Sequence, residues 1–397
     1  MLNRSKLLSL LTAGAIITAT QGCESTPPLS KPCQDPTSTP SLYDSHRVPH
    51  CNPTPPISGE SATAYGVNNV GNIIVGQSSS SEGPRGIAWI ALGESITKRK
   101  YEPNAPNVNS TVYDVSGNTD VVIGTMSKPD RTVGRTIQAA STTFMAPPPR
   151  TLQPLPGSSS TNSEAHGVSN DGNVIVGWST IDGGIPVHAV RWKDGSMQDL
   201  GVLDGRSSKA HDTNSDGTVV VGERRAADGS NHAFSWVEGR TPRPMKDLTS
   251  LGGNSSKAYG VNGNGTVIVG TSANEQGKFR AVRWHQGSIQ NLGVLHEADH
   301  AFSDALDVNT DGTVVVGRSS AEGGAIHAFR WVEGRTPNPM EDLGTLPNHT
   351  YSQAFAVSAD GSVVVGESGT YDPAEGFKRH AFLWKEGEGM QELGSLP

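Results

Sequence analysis

The segment His296-Glu297-Ala298-Asp299-His300 has the spacing of a zinc hydrolase helix. That chemistry needs two histidines one helical turn apart, with the glutamate between them activating a metal-bound water. Here no helical pattern surrounds the motif and no third ligand is in view. From Leu295 to Asp311 is 16 residues, whereas the matching stretch from Leu203 to Asp216 is 13. The motif therefore reads as a three-residue insertion in a solvated loop. Asp212-x-Asn214-x-Asp216-Gly217, with Glu223 in the twelfth position, has the form of a calcium loop. The residues that would have to wrap the cation are Val219, Val220, Val221 and Gly222, a run that prefers extended strand. The sister segment Asp307-x-Asn309-x-Asp311-Gly312 carries Arg318 where the bidentate glutamate belongs. A hairpin turn is expected at both.

Four histidines, His188, His232, His327 and His380, share one position of a recurring pattern, and Arg85, Arg135 and Arg280 take the same place elsewhere. Arginine is no ordinary metal ligand, but histidine and arginine both donate N–H groups. A repeated structural donor is the better reading, reaching a turn carboxylate or carbonyl, for instance near an Asp-Gly hairpin. The recurring Gly-x-Ser, as in Gly177-Trp178-Ser179, lacks the second glycine of a nucleophile elbow. No phosphate-binding loop or dinucleotide fingerprint is present. The expected catalytic, cofactor and metal residues are none.

The elements that position these residues repeat. A run ending in Val/Ile-Gly recurs with its glycine at 76, 124, 177, 222, 270, 317 and 366, at intervals of 48, 53, 45, 48, 47 and 49. Each unit carries a turn such as Asp216-Gly217, then a valine-rich run, then a strand such as His232 to Trp236, and then a turn glycine. It ends on a segment such as Asp342-Leu343-Gly344. Four short strands in about 48 residues is the period of a propeller blade. The expectation is an all-β propeller of seven four-stranded blades over residues 57–397. Units one and two are degenerate: unit one keeps Trp89, unit two has no tryptophan. The tryptophans read as core between blades. Because the repeat runs from first to fourth strand, the ring is expected to close without a borrowed strand, with residues 57–63 as the candidate clasp. Two long connections, 93–109 and 371–378, are candidates for a binding rim.

Composition fits this reading. Of 397 residues 47 are glycine, 18% are charged, and the net charge is −8. No basic excess exists to neutralise a phosphate backbone, so a nucleic-acid partner is not expected. At the N-terminus Arg4 and Lys6 precede the uncharged stretch Leu7 to Thr20, which reads as an export signal over residues 1–22. Gly22-Cys23 resembles a bacterial lipobox, which implies acylation of Cys23. Nine prolines between Glu24 and Glu60 make residues 23–56 a disordered tether. Cys33 and Cys51 could form a disulfide in an exported protein or remain free thiols.

His327-Ala328-Phe329-Arg330-Trp331 and Asn309-x-Asp311-Gly312 before Val314-Val315-Val316-Gly317 resemble the signature of the HAF-type bacterial extracellular repeat family. That resemblance implies an exported repeat protein and carries no reaction with it. The functional expectation is a lipid-anchored, monomeric binding or adhesion module at the outer membrane or cell surface, secreted or periplasmic without the lipid. Its ligand is an unknown protein or glycan, and its membrane contact is the lipid anchor alone. The rival is a propeller hydrolase or lyase using acids such as Glu297, Asp299 or Asp372.

Overall fold

The computed structural model describes residues 61–396, apart from 81–82, 93–94, 102–107, 120, 131–133, 144–149, 156–161, 182–185 and 373–375. The signal, the tether, Cys23, Cys33, Cys51 and residues 57–60 of the expected clasp lie outside them, as do the side chains of Arg135 and Asp372.

The chain is an all-β propeller of seven antiparallel four-stranded blades. They span residues 62–101, 109–151, 163–201, 207–247, 252–293, 303–342 and 351–392, and are numbered here 1 to 7. A single parallel pairing, Ile326 with Tyr351, ties blade 6 to blade 7. Among the described residues the one helical element is a short 3-10 turn, Glu322–Gly324. The connection 93–109 is in part regular structure, because Ser95–Tyr101 forms the outer strand of blade 1. The stretch 371–378 is the end of a long hairpin in blade 7, whose arms are Val363–Asp372 and Gly376–Lys385.

Each valine-rich run is the second strand of its blade and is buried on both faces, because neighbouring blades cover it. Val220, Val221, Val315, Val316, Val364 and Val365 are all fully buried. The glycine that ends the run faces a β-bulge in the first strand. A Cβ on Gly222 would lie 2.0 Å from the Lys209 carbonyl, so no larger residue fits. The turn between these strands is closed by a side chain, Asn214 Oδ1 accepting Val219 N–H at 2.8 Å, with Gly217 at φ 72°. Asn or Ser fills that place in every blade, as Asn262 does toward Val267 and Ser358 toward Val363.

The ring closes without a borrowed strand. In blades 3 and 5 the tryptophan indole donates to the tail of the blade before it, Trp192 to the Gln153 carbonyl and Trp284 to the Thr249 carbonyl. Trp89 of blade 1 donates to the Gly394 carbonyl in the tail of blade 7, at 2.9 Å. Likewise Leu155, Leu251, Leu295 and Leu346 each donate a backbone N–H to a serine of the next blade. Leu396 does the same to Ser78. Ser61 and Thr63 reach blade 7 from the other side, at the Arg379 carbonyl and the Glu367 carboxylate. Ala62, Ile74, Ile87 and Trp89 then pack with Val363, Val365, Leu383 and Leu393 in one core cluster. The seam between the chain's two ends is thus built like the other seams.

Candidate functional site

The first strands of the blades stand side by side around a central channel. Every one carries a bulge at the same level, which leaves one residue out of register in each blade. These residues are Tyr65, Tyr113, His166, His211, Tyr259, Leu306 and Phe355, so six of seven are aromatic. They form a girdle. Ring centroids lie 5.6 Å apart for Tyr65 and Tyr113, 5.2 Å for the stacked pair Tyr113 and His166, and 5.3 Å for Tyr65 and Phe355. His166 and His211 are 5.8 Å apart, and His211 and Tyr259 5.6 Å. Burial, with the Glu367 carboxylate nearby, pushes the Tyr65 phenol up to about 12, and burial also lowers the His211 imidazole. Both are held neutral at physiological pH.

On one side of the girdle lies a collar of polar residues, two positions earlier in each first strand: Thr63, Thr111, Glu164, Lys209, Lys257, Asp304 and Gln353. They bond to second-strand partners and across seams. Glu367 accepts from Thr63 and Gln353, both at 2.7 Å, and Arg318 pairs with Asp304 at 2.8 Å. Lys257 reaches Glu223 of blade 4 at 3.2 Å. Burial alone would raise the Glu223 carboxyl, but Lys257 and His211 hold it well below the usual carboxylate range. The long hairpin of blade 7, and one in blade 2 with arms Val121–Asp130 and Gly134–Thr143, run toward this same mouth. They flank blade 1 on both sides, so the mouth is asymmetric.

On the other side of the girdle, at the first-to-second-strand turns, the channel holds a cavity of about 100 Å³ walled by Asp114, Asp212 and Asp307. Each carboxylate accepts the N–H of its own successor and, with its second oxygen, an N–H of the next blade. Asp212 takes Thr213 at 2.7 Å and Val261 at 2.9 Å. Asp114 and Asp307 do the same with Val168 and Val357. Burial pushes Asp212 up to about 7, and burial plus the Asp212 charge push Asp307 up to about 8; Asp114 is raised too. These aspartates alternate around the ring with Gly66, Gly167 and Gly260. A Cβ on Gly167 would sit 2.9 Å from the Asp212 Cα. Small and acidic residues alternate because the strands approach too closely for two side chains.

The residues singled out in the sequence are placed elsewhere. His188, His327 and His380 bind acids through Nδ1, but the partner is not the Asp-Gly hairpin. It is the fourth-strand acid: Asp199 at 2.8 Å, Asp342 at 2.9 Å and Glu392 at 2.7 Å. The fourth strand lies beside the third, whereas the hairpin lies at the opposite end of the second. His232 meets Ser230 at 2.8 Å, because Arg224 occupies the acid of that blade, Asp247. Arg280 donates to the Ala301 carbonyl and pairs with Glu297 at 3.2 Å. His296 and His300 are exposed in a connection that is not helical, and among the described residues no group of three metal-ligating side chains converges. Asp212, Asn214, Asp216 and Glu223 point to different partners and form no calcium loop. Glu297 and Asp299 belong to the link between blades 5 and 6, where both are exposed and Glu297 pairs with Arg280.

The girdle and the alternating aspartates went unread in the sequence, although a signal exists. Ala-Tyr-Gly-Val, Ala-His-Asp-Thr and Ala-Leu-Asp-Val lie at one phase of the repeat, and only the bulge shows that their second residue faces the axis.

No family model matches the chain, and no curated protein does. Among solved structures the chain is similar to the β-propeller domain of the Trilobed protease from Pyrococcus furiosus, described as having an open velcro topology. The identity is 11% and the TM-score 0.54, over 84% of this chain and 97% of that one. It is similar to an acylaminoacyl peptidase from Pyrococcus horikoshii at 11% identity and TM-score 0.53, over 85% and 53%. Prolyl oligopeptidase B from Galerina marginata gives 9% and 0.56, over 85% and 51%. The chain spans about half the length of the last two. At these identities the likeness establishes the fold, a β-propeller.

Proposed function

We propose that the chain is an exported binding module without catalytic activity, which takes a protein or glycan ligand at the collared mouth of its channel. One observation carries the reading. Positions that build the blades repeat, whereas the collar, Thr63, Thr111, Glu164, Lys209, Lys257, Asp304 and Gln353, differs from blade to blade above an aromatic girdle. Non-identical polar groups over aromatic faces suit recognition of an extended polar ligand, with the rings supplying apolar contact and the collar fixing orientation. Serines near the mouth are engaged in seams: Ser208, Ser303 and Ser352 each accept a backbone N–H of the preceding blade and donate to one of its carbonyls. The export-signal pattern, the lipobox-like Gly22-Cys23 and the resemblance to HAF-type repeats support placement at the outer membrane or cell surface, with Cys23 as the acylated residue. No helix of the described residues is long and apolar enough to cross a membrane.

The test is binding of the purified protein to glycan and peptide arrays and to cell envelopes. Tyr113→Ala and His166→Ala should each weaken a saturable interaction by about tenfold, and Asp360→Asn in an exposed turn should leave it unchanged. Turnover of ester, peptide or glycosidic substrates that Glu297→Gln abolishes would replace this reading with the hydrolase.

A further inference from the structure

Blade 1 departs from the other blades at the end of the propeller opposite the mouth. Among the described residues four large apolar side chains are exposed, and three belong to this blade: Val70 at 72%, Leu92 at 64% and Ile96 at 36%. Leu92 and Ile96 sit at the end of the hairpin between the third and fourth strands. After the tryptophan, the hairpins of blades 3, 5 and 7 add one residue pair, for instance Lys193 with Ser196. Blade 1 adds three, Ile90 with Thr97, Ala91 with Ile96 and Leu92 with Ser95. Its tip therefore stands about 7 Å beyond theirs, two residues at the usual rise per strand residue. Val70 lies beside it, since Ala91 donates to the carbonyl of Asn72 in the Val70 turn. Blades 3, 4, 6 and 7 carry Asp171, Asp216, Asp311 and Asp360 where blade 1 has Val70. The outer strand that continues from the tip holds Lys98, Arg99 and Lys100. No other described fourth strand holds more than one basic residue.

A projecting apolar tip backed by a basic strand, on a chain of net charge −8, is a local reversal of both polarity and sign. We propose that this hairpin seats on an anionic lipid bilayer, with Leu92, Ile96 and Val70 entering the interface and the basic strand behind them attracting headgroup phosphates; its successive side chains point to opposite faces, and Lys98 Nζ also donates to the Ser395 carbonyl at 2.7 Å. The shape favours lipid over protein. Three side chains on a convex tip offer far less than the roughly 800 Å² that each partner of a stable protein interface buries, whereas an interfacial anchor needs only a few apolar groups and adjacent cations. A second copy meeting tip to tip would bring two basic strands together, a like-charge contact. Docking edge-on through blade 1 also keeps the acidic turns of blades 3, 4 and 6 away from a negative surface. The inference does not depend on a ligand in the channel or on acylation, and it gives the propeller a membrane contact of its own.

Residues 56–397 form a compact unit of their own, and every core cluster draws on residues 62–396 alone. That fragment is the test protein, free of signal and acyl site. It is expected to sediment with vesicles of phosphatidylglycerol in phosphatidylcholine and not with phosphatidylcholine alone, and raised salt should weaken binding. The pair Leu92→Glu and Ile96→Glu, with unchanged circular dichroism and melting temperature, and separately Lys98→Glu with Arg99→Glu, with unchanged circular dichroism but a lower melting temperature because Lys98 loses the Ser395 carbonyl, should each cost about tenfold or more in partitioning. Absence of binding to anionic vesicles overturns the proposal, as does binding that both variants retain. A concentration-dependent dimer abolished by Leu92→Glu and Ile96→Glu would assign the tip to a second copy instead.

Discussion

At the residue scale, two positions show how closely the blades are fitted. Asp212 is a carboxylate used as a backbone acceptor for two N–H groups, one in its own strand and one across a seam. Asp212→Ala leaves both donors unsatisfied in a buried wall and should lower stability by about 1–3 kcal/mol, measured by chemical denaturation. Asp360→Ala, in an exposed turn, should cost much less. Gly312 has φ 84°, and a Cβ there would come 2.7 Å from Val267 Cγ2 of the preceding blade. Gly312→Ala therefore meets both left-handed strain and an overpacked seam, and a loss of about 2–4 kcal/mol is expected. Gly287, with φ 79° and open space around it, isolates the first cost from the second.

At the scale of elements, the seam is the unit of construction. Ser110, Ser208, Ser256, Ser303 and Ser352, each in a first strand two residues before the bulge pair, accept an N–H from the blade before. At the closing seam Ala62 takes the place of that serine. Ala62→Ser puts a hydroxyl in the same relation to blade 7 and should raise stability by about 0.5–1.5 kcal/mol, read as a higher denaturation midpoint. The complementary test removes residues 393–397. Trp89 then loses its Gly394 acceptor, Ser78 loses Leu396, and the closing core loses buried Leu393. A loss of about 2–5 kcal/mol is expected, and opening at blades 1 and 7 should appear first in hydrogen exchange.

For the whole molecule, the channel links stability to pH. Burial pushes the Asp212 and Asp307 carboxyls up to about 7 and about 8, above the ordinary 3.8. The native state thus holds protons that the unfolded state has released, so these groups favour folding most at acid pH and lose their contribution as pH rises through the native values. His211 works the other way, since burial lowers its imidazole and its contribution is complete above about pH 6.5. Between about pH 6.5 and 8 only the aspartates of this set change, and the melting temperature should fall across that window and then level. The pair Asp212→Asn and Asp307→Asn should flatten the descent even where it lowers the absolute value. A rising melting temperature over that window would contradict the buried-carboxyl account.

The sequence alone determined the architecture, because each blade needs the same glycine beside a bulge and the same Asn/Ser-closed turn, six of the seven keep the tryptophan at a seam, and a requirement met so often leaves a visible period. It also showed that the His188, His232, Arg280, His327 and His380 position belongs to the repeat, since a group present in most blades is built into the scaffold. Their partners were another matter. His327 meets Asp342 because the third and fourth strands are adjacent, and a list of residues does not say which carboxylate a ring will face. The girdle from Tyr65 to Phe355 was decided only in three dimensions. Each residue arrives from a different blade, up to 290 positions apart in the chain, and a bulge, which the repeated glycine accommodates without saying what it aims, turns it toward the axis. The apolar tip of blade 1 likewise looked like a long connection until strand pairing extended it past the matching hairpins of blades 3, 5 and 7. Repetition is local and readable, whereas convergence on an axis depends on the closure of the ring.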